Sequence, residues 1–306
     1  IVPEIIEGGQ PKLLKYDNTA KEEIVWGLGL GCNGVVEVFV ELAGRMPEVD
    51  VSIQKEEAVA LATVVRTGTE KNIRPGLKMS VSPDGQTAGS LGDNVLATRV
   101  ARDAIDLLKK EKSRTAAYEL EANQTVEVFI EAILPPPPLV IIGADPDSVP
   151  LVRFGKQLGF QVILVDHRPE FANAKKFPDA AQVIVALPEE MTKKVPINEK
   201  AFILIKTHNY LRDKEILKQV LKSKARYVGQ LGPKARATDL LKDLANEGVE
   251  FPGPELEKLF APVGLDIGAE DPEQIALSVL AELLAVKSGR RGGFLKEQTQ
   301  PIHPRE

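Results

Sequence analysis

The sequence predicts an α/β protein with a mixed α+β N-terminal domain and a Rossmann-like, doubly wound C-terminal domain. At 306 residues the chain is longer than one typical domain. The proline run 135–138 forms a stiff break near its middle. Beyond that break, continuous apolar segments alternate with helical ones, as in a parallel sheet covered on both faces. We therefore place the domains at 1–134 and 139–306, with 135–138 as a polyproline linker.

The composition narrows the class of protein. A formal charge of −5 disfavours a nucleic-acid partner, and a single cysteine excludes an internal disulfide framework and fits a reducing cytoplasm. No apolar run approaches the ~18 residues of a membrane span, and no signal peptide opens the chain. We expect a cytoplasmic protein with no membrane or nucleic-acid partner. Because the sequence begins at Ile1 without methionine, we also expect further residues ahead of it.

A short strand sequence appears twice in the N-terminal domain. Val36–Glu41 reads VEVFVE, and Val126–Glu131 reads VEVFIE. Apolar residues alternate with acidic ones at period two, which predicts a half-buried strand in both places. A Tyr-acidic pair precedes each copy, at Tyr16 and at Tyr118. We interpret these as two copies of one unit, the first truncated and the second spanning about 51–134.

The other elements of this domain are predicted from local patterns, with little helix signal over residues 1–45. Asp93 is the expected N-cap of a helix over 94–110. The remaining predictions are strands at 12–17 and 22–26, a helix starting at 55 that gives way to a strand at 61–65, a strand at 78–82 and a hairpin turn at 83–85.

The glycine-rich turn 27–34 precedes the first strand copy and holds the only cysteine, Cys32. Successive N–H groups in such a turn can bind an anion, and they would lower the pKa of a thiol. The second copy lacks this turn, so the thiol is not needed to build the strand. The alternative is a tight turn with an inert, buried cysteine. The residues expected to shape the turn around Cys32 are Gly29, Gly31, Asn33 and Gly34.

Two cations flank a glycine further along the domain. Arg74 and Lys78 lie on either side of Gly76 and could hold an anionic ligand. The alternative is ordinary solvated surface charge.

In the C-terminal domain, strands and helices alternate, and Asp271 is the expected N-cap of the last helix. The predicted strands are 139–142, 161–165, 181–186, 201–205 and 227–231, and the predicted helices are 149–158, about 211–222, 234–246 and a last one ending near 287.

The first strand of this domain leads into a turn at Gly143. Asp166 lies about 20 residues beyond it, where a Rossmann domain holds a ribose hydroxyl. Asp145, however, replaces the second glycine of the dinucleotide fingerprint. A carboxylate about 4 Å from a phosphate costs about 4 kcal/mol at an effective dielectric constant of 20. This residue argues against ordinary NAD(P) binding, although the fold suits it.

Further polar residues follow two other strands. His208 and Asn209 come after one strand, and Lys234 and Arg236 come after the next. Ligands of open α/β sheets bind beyond the carboxyl ends of strands, so we expect these four side chains to line one crevice. The alternatives are a structural role for His208 and an N-cap role for Asn209.

Taken together, several stretches resemble one family. They include 27–41, 74–79, 139–148, 227–236 and 261–282. With them the chain resembles the XdhC/CoxI family, the accessory factors of molybdenum hydroxylases such as xanthine dehydrogenase. The family's Gly-Cys turn falls on Gly31 and Cys32, and its Rossmann glycine turn falls on Gly143.

The resemblance implies a molybdenum-cofactor (molybdopterin) chaperone rather than a turnover enzyme. Such a protein binds the cofactor, protects it while a cysteine desulfurase or sulfurase supplies its terminal sulfur, and passes it to the hydroxylase. Cys32 would then contact the molybdenum, with Arg74 and Lys78 near the pterin phosphate. We also expect a homodimer. The competing hypotheses are an NAD(P)-dependent oxidoreductase that uses Asp166, and a docking scaffold for the hydroxylase with no affinity for the pterin.

Overall fold

The computed structural model describes residues 2–17, 35–42, 44, 46–68, 72–120, 124–195 and 197–299. The chain divides into two compact units, Ile1–Pro135 and Pro136–Glu306. The boundary between them lies in the proline run. None of the described helices combines the length and the apolar character needed to cross a membrane.

The N-terminal unit is built around an antiparallel sheet and one long helix. Its elements are α1 (Val2–Gly8), β1 (Lys12–Asp17), β2 (Val35–Val40), α2 (Pro47–Gln54), β3 (Val59–Thr67), β4 (Lys78–Val81), β5 (Thr87–Gly89), α3 (Asn94–Lys110), β6 (Arg114–Glu119) and β7 (Thr125–Ile133).

Five strands form the main sheet in the order β5-β4-β3-β7-β6, and each pairs antiparallel with its neighbour. Helix α3 buries its apolar side against one face of this sheet, where Val126, Val128 and Ile130 are fully buried. Asp93 caps α3, because its Oδ1 accepts a hydrogen bond from the Leu96 N–H at 2.7 Å. The predicted bounds and cap of this helix are confirmed.

The repeated strand sequence forms the same local structure twice. Strands β1 and β2 make a separate two-stranded antiparallel sheet in which Tyr16 lies opposite Val36. Strands β6 and β7 pair antiparallel in the same register, with Tyr118 opposite Val126. Each copy is thus the second strand of an equivalent hairpin.

Two local predictions in this unit are wrong. A helix is predicted to begin at residue 55, but α2 ends at Gln54 and Glu56 adopts a left-handed conformation with φ +56°. The turn directs the chain into β3, which starts at Val59. Helix α1 lies in a region where the sequence predicts little helix. The strand predicted at 22–26 falls outside the described residues.

The C-terminal unit alternates strands and helices. Its elements are β8 (Pro138–Ile142), α4 (Val149–Gln157), β9 (Gln161–Asp166), β10 (Gln182–Val185), α5 (Pro188–Lys194), β11 (Phe202–Ile205), α6 (Tyr210–Val220), β12 (Tyr227–Gln230), α7 (Lys234–Asn246), α8 (Gly253–Glu257), β13 (Leu259–Phe260) and α9 (Pro272–Lys287). Pro138 belongs to β8, so the linker is shorter than predicted.

The six strands of this unit pair in parallel in the order β10-β9-β8-β11-β12-β13. Numbered along the chain from β8, this is the Rossmann order 3-2-1-4-5-6. The predicted fold class is confirmed. The strand order reverses between β8 and β11, and a ligand crevice is expected beyond the carboxyl ends of those two strands.

Apolar side chains cover both faces of the parallel sheet, because successive residues of a strand point to opposite faces. On one face Val140 and Ile203 pack in a core with Ile216 of α6. On the other, Leu139 packs in a second core with Leu280 of α9. With both faces filled, the polar groups of the unit gather at the carboxyl ends of the strands.

Candidate functional site

The crevice between β8 and β11 begins at Gly143, a position that only glycine can occupy without strain. Its φ is +119°, and a Cβ built there would lie 2.4 Å from the Lys206 carbonyl oxygen. Its N–H donates to the Val165 carbonyl oxygen at 2.8 Å. The turn after β8 is therefore held against the ends of both neighbouring strands.

A buried lysine occupies the floor of this crevice. Lys206 follows β11 directly, and only 3% of its surface is exposed. Its Nζ donates to Asp147 Oδ1 and to Ser148 Oγ, both at 2.7 Å. The Ser148 hydroxyl in turn donates to the Gly143 carbonyl oxygen at 2.7 Å. The lysine ties the end of β11 to the turn where a Rossmann protein would receive a pyrophosphate.

Asp166, the predicted ribose ligand, is bound by the protein itself. Its Oδ2 accepts from the Ala144 N–H at 2.8 Å, and its Oδ1 accepts from the Arg168 N–H at 2.9 Å. The Arg168 guanidinium adds bonds to both carboxylate oxygens, at 3.0 and 2.9 Å. The same guanidinium reaches Asp145 Oδ1 at 3.2 Å. Arg168 thus neutralises both carboxylates that a dinucleotide would meet.

These contacts set the pKa values of the carboxyl groups. Burial alone would raise the pKa of Asp166, but hydrogen bonds from Arg168 and from the Ala144 N–H outweigh it and lower the pKa to about 2. Burial likewise opposes the shift at Asp147, whose pKa is lowered by the Lys206 ammonium. Both side chains are carboxylates at neutral pH, and each is a component of an ion pair.

Little space remains at this edge of the sheet. The pocket at the carboxyl ends of the strands, lined in part by Gly143, Asp166 and Thr207, has a volume of ≈ 20 Å³. A cavity of that size holds about one water molecule. In this conformation the crevice cannot admit a dinucleotide.

A second polar cluster lies around the buried carboxylate of Asp213. Arg236 donates to its Oδ2 through NH2 at 2.6 Å, and Gln230 donates to the same oxygen at 3.1 Å. Thr207 donates to Oδ1 at 2.6 Å. The guanidinium of Arg236 therefore faces inward, where it holds α6 and α7 to the strand ends.

The other predicted crevice residues have mixed placements. Asn209 caps α6, since its Oδ1 accepts from the Arg212 N–H at 3.1 Å, as one of its two interpretations required. His208 has a positive φ of +54°, and its Nε2 lies 3.4 Å from Asp147 Oδ2. Lys234 is exposed at the first position of α7. The structure groups Gly143, Asp145, Asp166 and His208 around one crevice and leaves Lys234 outside it.

Sequence reasoning missed three residues that organise this region: Lys206, Arg168 and Asp213. A lysine placed directly after four apolar strand residues is a usable signal for Lys206. Arg168 follows Asp166 by two positions, which is a spacing that allows an ion pair within one turn. No local pattern distinguishes Asp213, whose partners come from distant parts of the chain.

The predicted site residues of the N-terminal unit fall in two groups. The cysteine turn, with Cys32, Gly29, Gly31, Asn33 and Gly34, lies outside the described residues. Lys78 lies on β4, and its Nζ forms an ion pair with Glu41 Oε1 at 2.5 Å. Arg74 is exposed in the turn before β4. The charge of Lys78 is thus already balanced by a carboxylate, and a phosphate would have to displace it.

No group of three or more His, Cys, Asp or Glu side chains in the described part of the chain is placed to hold a metal ion. This statement does not reach Cys32, which belongs to the undescribed segment 18–34.

Two family descriptions match the chain, one for each part. Residues 52–119 match the XdhC and CoxI family, and residues 139–283 match the XdhC Rossmann domain. The second match covers all six strands of the parallel sheet and most of α9.

The chain is also similar to individual proteins. It is 29% identical over 278 residues to a Bacillus subtilis protein named as a probable component of xanthine dehydrogenase, covering 90% of this chain and 76% of that protein. It is 29% identical over 242 residues to the Escherichia coli uncharacterized protein YqeB, covering 76% of this chain and 43% of the relative. A crystal structure from Bacillus halodurans, described as a xanthine dehydrogenase, aligns with a TM-score of 0.48 at 24% identity, over 82% of this chain and 97% of the other.

Both halves of the sequence therefore match the same group of proteins, and the resemblance drawn from its motifs is confirmed: the chain belongs to the XdhC and CoxI family.

Proposed function

We propose that this protein is an accessory factor of a xanthine dehydrogenase-type molybdenum hydroxylase. In this role it binds the molybdenum cofactor, supports its sulfuration by a cysteine desulfurase, and inserts it into the hydroxylase. Family membership supports the role, as does the name of the Bacillus subtilis relative. We further propose that it works in the cytoplasm as a homodimer and is not itself a turnover enzyme.

The filled crevice of the C-terminal unit is the observation that favours a helper over an NAD(P)-dependent oxidoreductase. A dinucleotide needs a free acidic group for its ribose and free N–H donors for its pyrophosphate. Here Asp166 accepts four hydrogen bonds from the protein. Asp147 places a second carboxylate beside the turn, held there by Lys206. Binding a dinucleotide would break both ion pairs.

The described cations fit the phosphate of the cofactor poorly, because Lys78 and Lys206 each have a carboxylate partner. Arg74 is the exposed cation left near the N-terminal motif. For the metal end we retain Cys32, since a thiolate is a soft ligand that suits molybdenum or a sulfur bound to it. No step of the transfer is assigned to Lys78 or Lys206.

A loading experiment tests this function. The full chain is expressed with cofactor synthesis active, purified, and its bound small molecules are released and identified by mass spectrometry. We expect molybdopterin from the wild type and a strong loss from Cys32→Ser. Ser288→Ala, a change of a helix-end hydroxyl in the other unit, is the control and should leave the yield unchanged.

The same preparations are then mixed with cofactor-free hydroxylase. Wild type should restore hydroxylase activity, and more so with a cysteine desulfurase and cysteine present. Equal loading and equal activation by wild type and Cys32→Ser would remove the role of Cys32. Failure of the loaded wild type to activate any hydroxylase of this class would remove the proposed function.

A second candidate is a docking scaffold for the hydroxylase, which the filled crevice also favours. It predicts a stable complex with the hydroxylase and no molybdopterin in the purified protein. Titration calorimetry with NAD and NADP tests the oxidoreductase alternative in the same samples. Micromolar binding would revive that alternative.

A further inference from the structure

We propose that the cavity between the β1–β2 hairpin and the five-stranded sheet binds a planar nitrogen heterocycle whose edge carries N–H donors. Two sources share this chemistry: the pterin ring of a cofactor and a free purine. The site rests on the cavity itself, and only its pterin source rests on the proposed function.

The floor of the cavity is a row of side chains that crosses four strands. Thr63 of β3 lies opposite Lys78 of β4 and opposite Phe129 of β7, and Phe129 lies opposite Thr115 of β6. All four line one cavity of ≈ 540 Å³. That volume falls in the range of small-molecule sites.

The roof is the equivalent face of the other hairpin. Glu37, Phe39 and Glu41 of the first copy line the cavity. Their counterparts in the repeated sequence, Glu127, Phe129 and Glu131, line it from the opposite wall. Because the two copies face each other, a ligand between them meets one phenyl ring and two carboxylates on each side.

Phenyl rings and carboxylates recognise different parts of a planar heterocycle. Proteins read nucleobases by stacking on the flat faces and by hydrogen bonds to the polar edge. An aromatic contact adds about 0.5–1.5 kcal/mol beyond the area that it buries. Carboxylates are acceptors only, so they select an edge that presents N–H donors.

The charges of the cavity favour such an edge over an anion. Arg66 bridges Glu37 and Glu127, at 2.7 and 2.8 Å, and Lys78 pairs with Glu41. Glu131 has no ion-pair partner in the described part of the chain. Four carboxylates face two cations, which leaves an excess of two negative charges. A phosphate or carboxylate ligand would be repelled.

The hydroxyl of Thr63 supplies an independent sign of a ligand. Thr63 is 7% exposed and lines the cavity, yet its hydroxyl has no hydrogen-bond partner among the described residues. A buried polar group left without a partner costs about 1–3 kcal/mol. A ligand in the cavity would complete the hydrogen bonding of this hydroxyl while its edge meets Glu131.

The test is a titration of the full-length chain with pterin and, separately, with guanosine, which carries a similar donor-bearing edge. We expect saturable binding of at least one of them by calorimetry. Thr63→Val keeps the shape and removes the hydroxyl, and Glu131→Gln removes one unpaired charge. Each should weaken binding by about tenfold or more, which corresponds to about 1.4 kcal/mol.

Glu119→Gln is the matched control, because it makes the same charge change on β6 at a residue that does not line the cavity. It should bind like the wild type, and chemical denaturation should show that all variants are folded. Binding of pterin alone assigns the site to a cofactor, and binding of guanosine alone assigns it to a free purine. Either result supports the site.

Three results would overturn the site: no binding of either compound, binding that both cavity variants retain in full, and competition by millimolar inorganic phosphate. Hydroxylase activation without pterin binding in the cavity would keep the proposed function and remove the site. Pterin binding without activation would do the reverse.

Discussion

Asp166 lies where an acidic residue meets the ribose of a dinucleotide in other Rossmann domains. In this protein its two oxygens accept four hydrogen bonds, from the Ala144 N–H and from the backbone and guanidinium of Arg168. The carboxylate joins the turn after β8 to the end of β9. Its charge contributes to folding rather than to ligand binding.

This arrangement predicts a dependence of stability on pH. The pKa of Asp166 falls from its ordinary value of 3.8 to about 2 in the folded protein. A lowered folded-state pKa adds stability that is complete above the unfolded pKa and is lost as the pH falls toward about 2. At about 1.4 kcal/mol per pH unit, the loss between about pH 5 and pH 2 is on the order of 2 kcal/mol.

Urea denaturation at a series of pH values measures this loss. Asp166→Asn should be less stable than wild type at pH 7 and should show a smaller slope below about pH 5. Asp179→Asn, which removes half of a more exposed ion pair with Lys156, is the control and should follow the wild-type slope. Parallel curves for wild type and Asp166→Asn would show that the carboxylate does not stabilise the fold.

At the level of single residues, the sequence predicts positions better than partners. Gly143 and Asp166 could be placed because the Rossmann fold fixes their spacing. The ion pairs that fill the crevice could not be predicted, since Lys206 and Asp147 come from separate segments that meet only in the folded sheet. Asn209 could be resolved between its two roles only by its hydrogen bond to the Arg212 N–H.

Among the elements, α6 begins at a cap that gives a direct test of the role of Asn209. A side-chain acceptor at the N-cap satisfies a free helix N–H, and its loss costs about 1 kcal/mol. We expect Asn209→Ala to lower the free energy of unfolding by about that amount. Asn209→Asp retains an acceptor and should remain within a few tenths of a kcal/mol of wild type.

Chemical denaturation at neutral pH measures both variants, and Asp93→Ala at the start of α3 is a positive control of the same kind. Loss of ligand binding by Asn209→Asp at unchanged stability would contradict a purely capping role.

The elements that could be predicted carry strong local signals. Helix α3 has a capping aspartate and clear apolar spacing, and α7 matches its predicted bounds. Strand β6 was missed because RTAAYE has weak alternation, and pairing with β7 is what makes it a strand. Helix α5 was missed because seven residues are too few for a periodic pattern.

For the whole molecule, each hydrophobic core lies within one unit. The core around α3 belongs to the N-terminal unit, and the two cores of the parallel sheet belong to the other. We therefore predict that a polypeptide of residues 136–299 folds alone. Calorimetry should show one cooperative transition, as expected for a single domain.

A polypeptide of residues 145–299 is the control for that experiment. It lacks β8, the strand at the point where the sheet order reverses, and should not unfold cooperatively. A broad, non-cooperative transition for residues 136–299 would show that the C-terminal unit depends on the N-terminal one.

The architecture of the C-terminal unit was predictable because few topologies satisfy alternating strands and helices with right-handed crossovers. The N-terminal unit was harder. Its repeated sequence predicted two equivalent strands, and their shared register confirms that equivalence. The cavity between the two hairpins depends on how the β1–β2 sheet lies over β7, which no local pattern specifies.

The burial of Lys206 has a consequence for the covalent chemistry of the protein. An acylating reagent needs access to a free amine, and this amine is enclosed by Asp147 and Ser148. Lys224, whose side chain is 76% exposed, should be acylated at once. Lys206 should react only in molecules whose crevice has opened. Its acylation rate, followed by peptide mass spectrometry, therefore reports how often the switch point of the sheet becomes accessible.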